Sequence, residues 1–243
     1  MKRFGFFMLL TSLMALSLSC NKNKCQDGSG GRFEESRNFS NFHTFKLAIP
    51  GVIEIHHDTT LTKSRVVVFA QKNVQKALNL TNNSGVVTME FAECFENHDE
   101  IEFKLYTPTL KKLILRSSCR VTSTKAIYSN SFEILNQGTA NVDLVLKVDT
   151  FSWTGVGSTT LKLEGYSRRT NLEIKTLGTI NAINLITDTC TVNLEGTGNI
   201  STYVTSYLDV KIPGGGSVTF GGEDTLAIEK NISESASLID MRK

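Results

Sequence analysis

Prolines are scarce, three in 243 residues, and no proline-rich linker or break in composition divides the chain beyond residue 31, so one continuous body is expected. None of the cysteines forms a Cys-x-x-Cys pair, which excludes a zinc knuckle and a thioredoxin-like motif. Charge of neither sign is in excess: 26 basic residues face 24 acidic ones, with no basic run. A nucleic-acid partner is therefore excluded. Long apolar runs are missing too, apart from "FGFFMLLTSLMAL" at residues 4–16, which is too short to cross a bilayer as a permanent helix. No amphipathic helix follows it. The nearest candidate, "NVQKALNL", reads as a turn or a short irregular piece.

What is present begins with an export signal, in which Lys2 and Arg3 precede the apolar stretch and small residues lead to Cys20. The arrangement resembles a bacterial lipoprotein signal, in which the cysteine thiol accepts diacylglycerol and becomes the N-terminus once residues 1–19 are removed. "LSLSC" departs from that pattern, with Leu16 four residues before the cysteine and Ser17 where leucine is usual. Ordinary cleavage after Ser17 or Ser19, leaving a free thiol, is the alternative. Acyl chains hold at about 0.8 kcal/mol per buried methylene, so more than one chain is needed for a stable anchor. Residues 20–31 are polar and Gly/Ser-containing and read as a flexible tether, with order expected from about Arg32 and a single domain over 32–243. The expected location is the bacterial cell envelope, lipid-anchored to the outer membrane. Export also permits one or two disulfides among Cys25, Cys94, Cys119 and Cys190, although Cys119 and Cys190 read as buried single thiols in strands.

The remainder is strand after strand: "VIEIHH", "RVVVFA", "VDLVLKV", "TLKLEG" and "NLEIKT" alternate apolar and polar residues or run short and β-branched. Aligning the segments that start at Leu113, Phe132, Phe151, Leu172, Val192 and Val210 gives steps of 19, 19, 21, 20 and 18 residues. Each start is apolar, and so is the residue two further on: Leu115, Ile134, Trp153, Ile174, Leu194 and Ile212. Apolar residues two apart mark one inward strand face. A step near twenty leaves no room for a covering helix, so the expected fold is all-β, a parallel β-helix with about 20 residues per coil. Gly138, Gly157, Gly178, Gly198 and Gly216, with Ser118 at the first turn, align as one corner column, and Gly155, Gly196 and Gly214 loosen it two residues earlier. Such a corner needs either positive φ or the absence of a side chain. Each glycine is followed by more strand, whereas a phosphate loop would lead into a helix.

The runs "RNFSNFHTFKLAIPGVIEIHHD", "RVVVFAQKNVQKALNL" and "FKLYTPTLKKLILRSSCRV", together with the later Gly-x-Gly turns and "GGGSVTFGGEDTLAIEKNISESASL", resemble the head GIN domain family labelled putative autotransporter adhesin, common in Bacteroidetes lipoproteins. The likeness covers residues 36–240, with Ala236 standing where the family often carries glycine. It implies a right-handed parallel β-helix and a place in the cell envelope. It implies no established chemistry.

Several residues invite a chemical reading. Glu133 and Glu173, taken as one outward column with Ser152 between them, would stand roughly 10 Å apart. That lies within reach of glycoside hydrolysis. The column continues through Ile114, Asn193 and Lys211, however, as a mixed solvated face. Arg168 and Arg169, read at a turn, lack the aspartate cluster of a calcium-dependent lyase. His56 and His57 are adjacent on a strand and face opposite sides, so they cannot share a metal. The acidic loop with Glu93, Glu96, His98, Asp99 and Glu100 reads as solvated, and Trp153 falls in the core column. His43 and His98 stand in unrelated contexts, so no serine triad is assembled.

No catalytic residue, metal ligand or cofactor is therefore singled out, and no ligand-binding residue is named. The expected role is a non-enzymatic envelope lipoprotein, an adhesin or binding module for glycans or surface proteins. A pectinase-like polysaccharide-cleaving enzyme and a structural protein stacking through its open ends are the alternatives. Phe33, Phe39, Phe42 and Phe45 are expected to cover the first turn, and "NISESASLIDMRK" to form the last rung.

Overall fold

Side chains alternate across a strand, so apolar pairs two residues apart are all buried only if every coil turns the same face inward. The computed structural model describes residues 25–242 and has this arrangement. The signal segment 1–19, Cys20 and the first part of the expected tether lie outside the described residues. The amino-terminal part comprises β1 (Gln26–Asp27), β2 (Arg32–Phe39), β3 (Thr44–Leu47), β4 (Gly51–His57), β5 (Ser64–Gln71), helix α1 (Lys72–Ala77), β6 (Leu78–Asn83), β7 (Val86–Phe91), β8 (Phe95–Glu96) and β9 (Glu102–Thr107). The stacked part comprises β10 (Lys112–Leu115), β11 (Cys119–Ser123), β12 (Ile127–Asn136), β13 (Ala140–Gly155), β14 (Thr159–Ile174), β15 (Leu177–Leu194), β16 (Thr197–Ile212), β17 (Gly216–Gly222), β18 (Ala227–Ile232) and β19 (Ala236–Asp240).

From β10 onward every pairing is parallel, and the chain climbs as a β-solenoid of about 6 turns with coils about 20 residues apart. Ile134, Trp153, Leu172, Val192 and Val210 lie opposite one another on successive rungs, each 1% exposed or less. A second inward column runs Val121, Val142, Leu161, Ile180, Ile200 and Val218. Each such side chain contributes about 1.5–3 kcal/mol by leaving water.

The register differs from the sequence alignment by two residues at two places. Leu113 lies opposite Ile134 rather than Phe132, and Phe151 opposite Thr170 while Trp153 takes Leu172. Phe132 and Phe151 do pair, with ring centroids 6.1 Å apart. A slip of two preserves which face is buried, and hence the core, but it moves the outward columns.

The amino-terminal end is not a simple coil. β5 runs antiparallel to both β2 and β9, and β6 antiparallel to β7, so a sheet of mixed direction closes the bottom of the stack. Phe42 and Phe45 are fully buried there and Phe39 packs against them, but Phe33 is 42% exposed. "NVQKALNL", read as irregular, instead divides between α1 and β6. Six residues cannot hold a helix alone. Packing supplies the rest: Val74 and Ala77 are buried, and the Gln75 amide donates to the carbonyls of Phe33 (3.1 Å) and Val68 (2.7 Å).

Residues 25–31, read as part of a flexible tether, are held against the body. Cys25 is disulfide-bonded to Cys94, and β1 pairs with β8. Cys119 and Cys190 are free and buried, as expected. At the other end β18 and β19 form the last rung, with Ile228, Ile232 and Leu238 only partly covered.

Candidate functional site

The corner glycines form two columns, not one. A Cβ at Gly157 would stand against Gly138, and one at Gly138 against the Ser117 backbone. Gly178, Gly198 and Gly216 align instead with Cys119, Ala140, Thr159 and Ala236, a column of small residues facing inward. Among the described glycines, positive φ occurs at Gly30, Gly85 and Gly165 only. Lack of space, not left-handed backbone, therefore dictates these corners.

The residue after the small column points outward on every rung. Arg120, Asn141, Thr160, Thr179, Asn199, Ser217 and Ser237 lie opposite one another in unbroken register. Six intervals at the usual strand spacing make a ladder about 29 Å long. Among the described residues, no side chain of this ladder hydrogen-bonds or ion-pairs with another protein group. Other outward positions differ: Lys112 pairs with Glu133 at 2.7 Å, Asn171 with Ser152 at 3.3 Å, and Lys162 with Asp143 at 3.4 Å.

The ladder opens at its first rungs into a groove of about 520 Å³. Ser118, Arg120, Asn141, Ser158 and Thr160 line its floor, and the loop carrying His98 and Glu100 forms a wall. That loop is fixed at several points. Besides the Cys25–Cys94 bond, Asn97 Nδ2 donates to Asp27 Oδ1 (2.9 Å), Asp99 N–H to Gln71 Oε1 (2.9 Å), and Arg32 to the Glu100 carbonyl (2.7 Å). His98 Nδ1 donates to the Asp99 carbonyl at 2.7 Å.

This groove has the shape and hydrogen-bonding capacity for a polar ligand but not a hydrolytic constellation. Glu100 is the one carboxylate in its lining, whereas glycoside hydrolysis uses two. Cys119 lies at the floor, but burial pushes its thiol up to about 12, so it supplies no thiolate nucleophile at neutral pH.

The residues first considered for chemistry are dispersed. Glu133 lies opposite Ser152 and Asn171, while Glu173 lies opposite Thr154 and Asn193, so the supposed carboxylate pair occupies different columns. Glu133 is spent on Lys112, and Glu173 contacts Lys175 at 3.3 Å. Arg168 and Arg169 sit within β14 rather than at a turn, and both pair with Asp149 on the rung before. His56 and His57 face opposite sides, His57 being buried, and Trp153 is in the core. His43 Nδ1 contacts Thr44 Oγ1 at 2.9 Å. Among the described residues no group of His, Cys, Asp or Glu is placed to hold a metal. The sequence led to an expectation of polar Thr, Asn, Ser and Lys rungs but to no particular column, although "GTI", "GNI" and "GSV" in Gly178–Ile180, Gly198–Ile200 and Gly216–Val218 repeat it: glycine, a polar residue, then a core residue.

Three solved structures share this architecture. One described as a putative adhesin from Bacteroides fragilis is 19% identical, covers 89% of this chain and 100% of its own, and has a TM-score of 0.80. A putative adhesin from Parabacteroides distasonis is 17% identical over 90% and 100% of the two chains, with a TM-score of 0.65. A protein from the same organism described as a putative lipid binding protein is 17% identical over 90% and 98%, with a TM-score of 0.67. At such identities the likeness is one of fold. No curated protein sequence matches the chain. A family profile described as putative auto-transporter adhesin, head GIN domain, matches residues 46–223, from within β3 to just past β17, and the chain belongs to that family.

Proposed function

We propose that this protein is a non-enzymatic adhesin of the bacterial cell envelope, exported by its N-terminal signal, held to the outer membrane by lipid on Cys20, and binding glycan along the Arg120–Ser237 ladder. One observation carries the binding reading: seven consecutive rungs present outward polar side chains with no hydrogen-bonding or ion-pair partner among the described residues. Hydroxyl and amide groups repeated along a straight axis match an extended chain whose own hydroxyls recur at regular intervals. Fold alone does not fix function. The adhesin family and the single groove carboxylate support binding without cleavage.

Screening the purified protein against host and bacterial glycans, with reducing-sugar release measured alongside binding, tests this. Retention without release is expected. Release of product would replace the adhesin by an enzyme. The anchor is tested separately by labelled fatty acid, which enters the wild type and not Cys20→Ser.

A further inference from the structure

Arg120 is the single described arginine without a partner. Arg32, Arg37, Arg168, Arg169 and Arg242 pair with carboxylates, Arg116 donates to Gln137, and Arg65 lies over the Tyr106 ring. Arg120 stands at the junction of the ladder and the groove, exposed, with Ser118, Asn141, Ser158 and Thr160 around it. Glu100 on the opposite wall shares the groove without forming an ion pair with it.

A guanidinium presents paired N–H donors in a fixed plane that matches a carboxylate. The surrounding hydroxyls and amide suit sugar hydroxyls. Glu100 offsets the charge of Arg120 within the groove, so its formal charge is balanced and a densely charged phosphate or sulfate polymer is disfavoured. One carboxylate per bound unit, set among hydroxyls, fits. We infer that the groove recognises a uronate-bearing glycan, whose carboxylate Arg120 grips while the neighbouring sugars run along the ladder. This rests on the glycan-binding reading and names the chemical class of its ligand.

The test measures affinity for a panel of uronate-containing oligosaccharides, their carboxyl-reduced counterparts of equal length, and anionic phospholipid vesicles. The wild type is expected to prefer the uronate by about tenfold or more, the scale of one charge-assisted hydrogen-bonded contact, and to lose that preference as salt is raised. Arg120→Gln should bind both forms alike, Arg120→Lys should recover part of the preference, and Lys211→Gln on another face should keep all of it. Unchanged preference in Arg120→Gln, or equal wild-type affinity for both forms, overturns the uronate inference and leaves glycan binding standing. Binding to vesicles alone, or to no oligosaccharide, overturns both.

Discussion

Gly157 lies directly on Gly138: a Cβ at Gly157 would stand 1.8 Å from the Gly138 carbonyl oxygen. Stacked coils bring backbone over backbone at the corner, and the rung spacing leaves no room for a methyl group between them. Gly157→Ala should therefore destabilise the protein by about 1–3 kcal/mol through overpacking. Gly31→Ala, where nothing lies within 4 Å, should change stability by less than about 0.5 kcal/mol. Urea unfolding of both variants checks this, and equal midpoints would contradict it.

How far the sequence could be read depended on period. Apolar residues at i and i+2 announced the coils, and a slip of two residues left that inference untouched because it returns each side chain to the same face. Phe151 and Trp153 are both apolar, so nothing local could say which of them meets Leu172. The outward columns had no such protection: the same slip created the apparent alignment of Glu133 with Glu173. The antiparallel cover of β2, β5 and β6 was hidden for another reason. Pairing direction is set by contacts between distant segments, and Phe33 looks as apolar as Phe42 although only Phe42 is buried. The Cys25–Cys94 bond joins residues 69 apart in the chain, a pairing that spacing alone left open.

Burial pushes the thiols of Cys119 and Cys190 up to about 12. The folded state thus keeps its thiol protons where the unfolded state, near the ordinary value, has begun to release them. This contribution to stability is complete below about pH 8.5 and is lost as pH rises toward 12. Replacing both residues by alanine should flatten the fall in stability between about pH 8 and pH 10.5 relative to the wild type. Iodoacetamide at pH 9 should leave both thiols unlabelled until the chain is unfolded. Rapid labelling of the native protein would show that the sites open.

Lys230 lies opposite Val210 and so ends the core column that runs Ile134, Trp153, Leu172, Val192, Val210. A charge at the core-column position of the last rung makes that edge unsuitable for pairing with a second copy, a protection common on exposed sheet edges. Its exposed position leaves the ammonium hydrated. Lys230→Ile should extend the apolar column to the open end and produce dimers that grow with concentration, while the wild type sediments as a monomer. A wild type that already assembles end to end would revive the structural-stacking alternative.

Thr160 and Thr179 occupy consecutive rungs of the ladder, both exposed and both without a hydrogen-bonding partner among the described residues. Valine keeps the branched shape that suits a strand and removes only the hydroxyl. Because no internal bond is lost, the double variant Thr160→Val/Thr179→Val should unfold within about 0.5 kcal/mol of the wild type. Its glycan affinity should fall by about tenfold or more, since two hydroxyl contacts at about 1 kcal/mol each would be missing. Thr191, outward on a different face opposite Asn171 and Asp209, provides the control. Thr191→Val should bind as the wild type does. Equal loss in both variants would mean that binding is spread over the whole solenoid, and loss in Thr191→Val alone would place the ligand on the face that carries Glu133 and Asp209.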